Sequence, residues 1–341
     1  MQIKKYGRLL AAALALTAYT PGWTEAKTVV VDAAGNCPLD EAMKFVQEFT
    51  VETKCVNIGS NDANATIILE TDVILNGSTS VGEVRVTIEG QGHTVTGVST
   101  SNVFNVSHDT LILNDLMVTG GDRGILVQGP SGVILNNSTV SGNAAEGIVS
   151  FDGSVTLNNS TVSNNGTIGI STGFSSVTLN NSTVSSNATG IYVYKTSFAI
   201  QGSLVSGNSG LDIQHAQSSW PASNIYNVLG DSSKTNAQAF SGTFVPDSTN
   251  IIATSDGTNP TALAAILSPL ADNGGPTKTH ALPVGSPAID LDANCNAKLT
   301  IDQRRYTRPI GLGCDAGAFE FGGIPAVLKN INMAPIYNLL L

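Results

Sequence analysis

Val133–Asn143 reads VILNNSTVSGN, Val155–Asn165 reads VTLNNSTVSNN and Val177–Asn187 reads VTLNNSTVSSN; these three stretches decide the fold. FAIQGSLVSGN from Phe198 is a fourth copy and LILNDLMVTGG from Leu111 a looser fifth, so successive copies start 22, 22, 22 and 21 residues apart. Self-similarity at a fixed period marks a solenoid, in which each repeat buries its apolar side only by stacking on its neighbours. Three apolar columns recur: Leu113, Leu135, Leu157, Leu179 and Ile200; then Val118, Val140, Val162, Val184 and Val205; then Ile125, Ile148, Ile170, Ile191 and Leu211, each of these last following a glycine. Alternation in Val155-Thr156-Leu157 sends two side chains inward and one outward, as in a strand. A leucine-rich repeat of similar length would need a helical return, but here the return is Gly, Ser, Asn and β-branched residues, which disfavour helix. The reading is all-β: a right-handed parallel β-helix of about 22 residues per rung, with like residues stacked.

The turns carry asparagine. Asn136-Asn137, Asn158-Asn159 and Asn180-Asn181 stand at one corner, and Asn143, Asn165, Asn187 and Asn208 at the next. Asparagine tolerates the left-handed backbone of a sharp turn. Stacked amides can also bond from rung to rung, so these residues are expected to be structural, and their N-x-S/T sequons are weak signals of glycosylation.

Working outward, Lys4, Lys5 and Arg8, the apolar run Leu9–Ala18 and the small-residue site Thr24-Glu25-Ala26 read as a secretory signal over 1–26. No stretch reaches the roughly 20 apolar residues of a membrane span, so the mature chain is expected to be secreted or at the cell surface without a transmembrane segment. Residues 27–64 read as an N-terminal cap, built on the amphipathic stretch from Pro38 to Thr50 with Leu39, Met43 and Val46 on one face. The β-helix is expected over 65–266, a Pro- and Gly-punctuated block over 267–321, and a tail over 322–341 that packs along the solenoid or adds a strand to a neighbour. Cys37, Cys55, Cys295 and Cys314 fall as two local pairs; four cysteines allow three connectivities, or four free thiols, and export with short loops favours Cys37–Cys55 and Cys295–Cys314.

Only 12% of residues are charged, yet 41% are hydrophobic, which favours many strands and turns over disorder. A net charge of −10 without a Lys/Arg cluster argues against nucleic acid as a partner.

The flanks carry a resemblance. LSPLADNGGPTKTHALPVGSPAIDLDANC from Leu267 and IDQRRYTRPIGLGCDAGAFE from Ile301 resemble the choice-of-anchor Q domain of bacterial surface and secreted proteins. CPLDEAM from Cys37, followed by Cys55 and NDANATIIL from Asn61, is similar to the CSLREA-type start of the same proteins. The resemblance implies a pectin-lyase-like right-handed β-helix on the cell surface, with variable anchors; it implies no reaction, and no sorting motif is identified in 324–341.

Chemistry is sparse. A glycoside hydrolase needs carboxylates about 5–9.5 Å apart. No outward column places two of Asp109, Asp115, Asp122, Glu146, Asp152 and Asp212 on adjacent rungs. A calcium-assisted lyase wants an acidic cluster near a basic residue, and Arg123 and Lys195 lie three rungs apart. His108-Asp109 lacks a nucleophile, Gly90-Gln91-Gly92 lacks the rest of a dinucleotide loop, and Asp302, Arg304 and Arg308 read as ion pairs pinning the C-terminal block. No catalytic or metal-binding residue is assigned and no cofactor is expected, calcium being kept for the lyase alternative.

The irregularity lies on the outward face of the third strand. Leu126, Val149, Ser171 and Tyr192 form one column, and Gln128, Phe151, Gly173 and Tyr194 the next. Phe151, Tyr192, Tyr194 and Lys195 are the candidate ligand residues, since an outward aromatic strip is either covered by the chain's own loops or tail or used for docking. The expectation is a structural or binding protein, adhesin-like, whose partner is an extracellular glycan or surface protein; the alternative is a polysaccharide lyase or glycoside hydrolase acting on an acidic glycan.

Overall fold

A computed structural model describes residues 27–47, 55–56 and 65–326, apart from 33, 83, 218–222, 243, 294 and 296–298. The expected signal segment and the end of the tail, 327–341, lie outside the described residues.

The repeats form strands where β-branched and leucine residues alternate with polar ones, and each rung contributes to three parallel sheets. Gly132–Asn136 pairs in register with Thr110–Asn114 and Ser154–Asn158 in the first sheet. Thr139–Ser141 pairs with Met117–Thr119 and Thr161–Ser163 in the second. Ile148–Phe151 pairs with Ile125–Gln128 and Ile168–Gly173 in the third. Nine, nine and eight described strands stack in these sheets, giving a right-handed parallel β-helix of about eight turns. Leu135, Leu157, Leu179, Val140, Val162, Val184, Ile148, Ile170 and Ile191 are all buried in one continuous core. Each contributes about 1.5–3 kcal/mol by leaving water.

The third column departs from its sequence reading at one rung. Ile191 pairs with Ile213, not with Leu211. The glycine before the inward residue misled the alignment: Gly210 precedes Leu211, but Asp212 occupies the place that Gly190 holds one rung earlier. Asp212 is there because it ends a hydrogen-bond chain. The buried Asn143, Asn165 and Asn187 each donate through Nδ2 to the Oδ1 of the next amide, at 2.9, 3.0 and 3.0 Å, and Asn208 donates to Asp212 Oδ1 at 2.8 Å. Burial raises the Asp212 pKa, and Lys234, 3.0 Å away, partly offsets this. A second, half-buried ladder runs along the outer edge of the first sheet, from Asn180 through Asn158, Asn136 and Asn114 to Glu89, at 2.7–2.9 Å.

Both ends are managed. The helix Leu39–Gln47 buries Leu39, Ala42, Met43 and Val46 and carries Asp40 and Glu41 in its first turn, where the helix dipole favours them. It lies against Thr28–Val31, Ala65–Leu69 and Thr79–Val81. Its Gln47 amide acts as a substitute strand edge: Nε2 donates to Ser80 O at 2.8 Å, and Oε1 accepts from Gly82 N at 2.6 Å. Thr28–Val31 pairs with Ala65–Leu69 and so extends the first sheet. Cys37 is bonded to Cys55, and Cys295 to Cys314. Beyond Ala216, Ser223–Ile225, Val228–Leu229, Phe240–Gly242 and Ile251–Ile252 continue the three sheets.

The C-terminal block, largely irregular, covers the second sheet. This explains why both faces of Thr139–Ser141, Thr161–Ser163 and Thr183–Ser185 are buried, whereas Thr94–Thr96 and Met117–Thr119 keep half-buried outer residues. Outward hydroxyls meet block polar groups: Thr139 donates to Lys278 O at 2.7 Å, Thr161 to Gln303 Oε1 at 2.6 Å, and Thr183 accepts from Ala318 N at 3.0 Å. One or two rungs on, the outward residues become Leu204 and Val228, which share an apolar cluster with Ile266, Leu267, Leu282 and Phe319.

Ion pairs hold the block together as the sequence reading expected. Arg304 donates twice to Asp302 Oδ2, at 2.9 and 2.6 Å, and stacks on Phe319. Arg308 Nε lies 3.0 Å from Glu320 Oε2.

Candidate binding face on the third sheet

With the second sheet covered, the first and third sheets keep partly exposed outer faces, and the third carries the aromatic residues that the sequence singles out. Its register is the one read from the sequence: Leu126, Val149, Ser171 and Tyr192 stand on successive rungs, as do Gln128, Phe151, Gly173 and Tyr194. Ile191 and Val193 are buried, so Tyr192 and Tyr194 face outward.

The structure brings Phe151, Tyr194 and Lys195 together through a residue that the sequence reading missed. Phe174 packs edge-to-face on Phe151, with centroids 5.5 Å apart at 68°, and on Tyr194, at 5.6 Å and 81°. Lys195 Nζ stands 5.3 Å from both the Phe174 and the Tyr194 ring centroids. Phe151 is 57% exposed and Phe174 48%, large values for phenylalanines in mutual contact. Tyr192 does not join this cluster; it lies two residues back, between Ser171 and Gln214 on the neighbouring rungs.

Phe174 escaped notice because it belongs to the turn after the strand. Backbone bonds from Gly129 N to Phe151 O, Asp152 N to Gly173 O, Phe174 N to Tyr194 O and Lys195 N to Ala216 O align Gly129, Asp152, Phe174, Lys195 and Gln217 as one column. All five have left-handed backbone, with φ of 68°, 62°, 54°, 48° and 50°. Glycine is the natural occupant of such a place, and a bulky side chain there is unusual. Phe174 and Lys195 are therefore held at positions that backbone energetics alone would give to glycine. Gly173 completes the site: the Phe151 ring lies over it, 3.4 Å from where a Cβ would stand. The signal available in the sequence was GFSS from Gly173, where SFDGS and TGFSS break an otherwise small and polar turn.

Tyr194 Oη donates to Gln217 Oε1 at 3.2 Å. Asp152 and Lys195 are both exposed, one rung either side of Phe174. The face thus offers ring surfaces for apolar C–H groups, a carboxylate acceptor, an ammonium donor and an amide.

Of the rung carboxylates, Asp109, Asp122, Glu146 and Asp212 are engaged elsewhere. Asp122 and Glu146 do lie on successive rungs, a juxtaposition in the turn that the strand columns could not show. Both are held by one guanidinium, with Arg123 Nη1 3.5 Å from Asp122 and Nε 2.9 Å from Glu146. The Asp109 carboxylate accepts from the backbone N of Thr110 at 2.6 Å. Gly90 serves packing: a Cβ there would stand 2.7 Å from Asp115 O and Leu116 Cβ. Among the described residues, no three His, Cys, Asp or Glu side chains converge as a metal site, and no helix is long and apolar enough to cross a membrane.

The rungs define the class by comparison as well as by geometry: residues 73–228 match the family model described as right handed beta helix region. Among solved structures the chain is similar to the crystal structure of pectate lyase Pel9A, at 12% identity and a TM-score of 0.44, over 75% of this chain and 88% of that chain. No curated protein matches.

Proposed function

We propose that the protein is a secreted or cell-surface β-helix that binds an extracellular partner through the outer face of its third sheet, rather than an enzyme. The carrying observation is the Phe151–Phe174–Tyr194 cluster with Lys195, exposed on one sheet while the chain's own C-terminal block covers another. Two disulfides and the flank resemblance to surface proteins support an extracellular setting. Retention on immobilised polysaccharides and extracellular-matrix proteins tests the reading. The wild type is expected to be retained by at least one of them, and Tyr192→Ala/Tyr194→Ala to be released. Equal retention of the double variant contradicts the assigned face.

A further inference from the structure

Resting on that reading, we propose that the strip takes an uncharged polysaccharide lying along the solenoid axis, with Phe174 as its central platform and Asp152 and Lys195 as its polar partners.

Size argues first. The strip spans three rungs at about 4.8 Å each and a strand of four residues at about 3.3 Å each, a footprint on the order of 200 Å². A stable protein partner, or a second copy of this chain, needs about 800 Å² on each side. The footprint fits a few sugar rings.

Spacing argues second. Phe151, Phe174 and Tyr194 succeed one another along the axis with centroids 5.5 and 5.6 Å apart. A ligand that repeats along the same axis, one six-membered ring after another, can meet each aromatic in turn, on a face at one and on an edge at the next, because neighbouring planes are turned by 68° and 81°. The faces of aromatic rings carry negative charge density and attract the weakly positive C–H groups that cover the flat sides of a sugar.

Charge selects the class. Phe174 lies between Asp152 and Lys195 on its column, so the strip's two formal charges cancel. Asp152 can accept from two hydroxyls, Lys195 can donate to ring or hydroxyl oxygens, and Gln217, already bonded to Tyr194, extends the polar edge. With a net charge of −10, the chain supplies no field that would hold a uronate polymer.

Titration calorimetry with cello-, xylo- and manno-oligosaccharides of two to six units tests the assignment, with oligogalacturonates as the charged arm. Affinity for at least one uncharged series is expected to rise up to about three units and then level, with little dependence on salt. Phe174→Ala is expected to weaken it at least tenfold. Asp152→Asn keeps a residue that tolerates the left-handed turn, and is expected to weaken it by a similar factor with an unchanged circular dichroism spectrum. Unchanged affinity in both variants overturns the assignment, as does binding of oligogalacturonates alone that is lost in salt. Failure of every oligosaccharide to bind, with matrix retention through Tyr194 intact, overturns the glycan class and leaves the binding face standing.

Discussion

Asn165 sits midway along the buried amide chain, accepting from Asn143 and donating to Asn187. Its replacement by alanine strands two donors on the preceding rung, the Nδ2 and the backbone N of Asn143, each costing about 1–3 kcal/mol, while Asn187 Oδ1 keeps the bond from the backbone N of residue 165. Asn165→Ala is therefore expected to lower unfolding free energy by about 2–5 kcal/mol in denaturant titration. A loss under 1 kcal/mol would mean that the ladder is incidental. Lys195 presents the opposite case. Its φ of 48° is strained for a lysine, at about 1–2 kcal/mol. Lys195→Gly is expected to leave the melting temperature unchanged or higher while binding weakens; a marked loss of stability would make Lys195 a folding residue. The asparagines were legible because they recur at fixed offsets. Phe174 was not, because it occurs once, in a turn, and its partners come from the rungs before and after.

At the scale of elements, the Thr-Val-Ser strands were legible as strands but not as a platform. Gln303 meets Thr139 and Thr161, contacts 164 and 142 residues apart in the chain, and nothing periodic marks such a pairing. The same irregular block holds two buried groups with shifted pKa values. His280 Nδ1 can only donate to Ser268 O, at 2.7 Å, which leaves Nε2 to accept from the Ser163 hydroxyl at 2.8 Å. Burial lowers the His280 pKa below its ordinary 6.5, so its contribution to stability holds above that value and is lost as pH falls through the lowered one. Glu320 runs the other way. Burial lifts its pKa to about 7, an effect that Arg308 opposes and Asp315 reinforces. Its contribution is complete below the ordinary 4.5 and is lost as pH rises through about 7. Glu320→Gln removes that slope, so the variant is expected to gain on the wild type as pH rises from 4.5 to 8 in chemical unfolding. Parallel stability curves would contradict the assignment.

For the molecule as a whole, the repeat fixes three faces and the flanks decide their fates. The first sheet ends in its asparagine ladder, the second receives the C-terminal block, and the third keeps its rings exposed. The solenoid and the aromatic columns followed from the period alone, whereas the choice of face required contacts between distant parts of the chain. The alignment error at Leu211 has the same origin: a local glycine outweighed a long-range role for Asp212. Hydroxyl-radical footprinting of the protein, with and without a bound uncharged oligosaccharide, reads directly which face the ligand covers. Protection of Phe151, Phe174 and Tyr194, with Tyr306 and Phe319 of the C-terminal block unchanged, is the predicted result. Unchanged labelling of the three rings while another face is protected would contradict it.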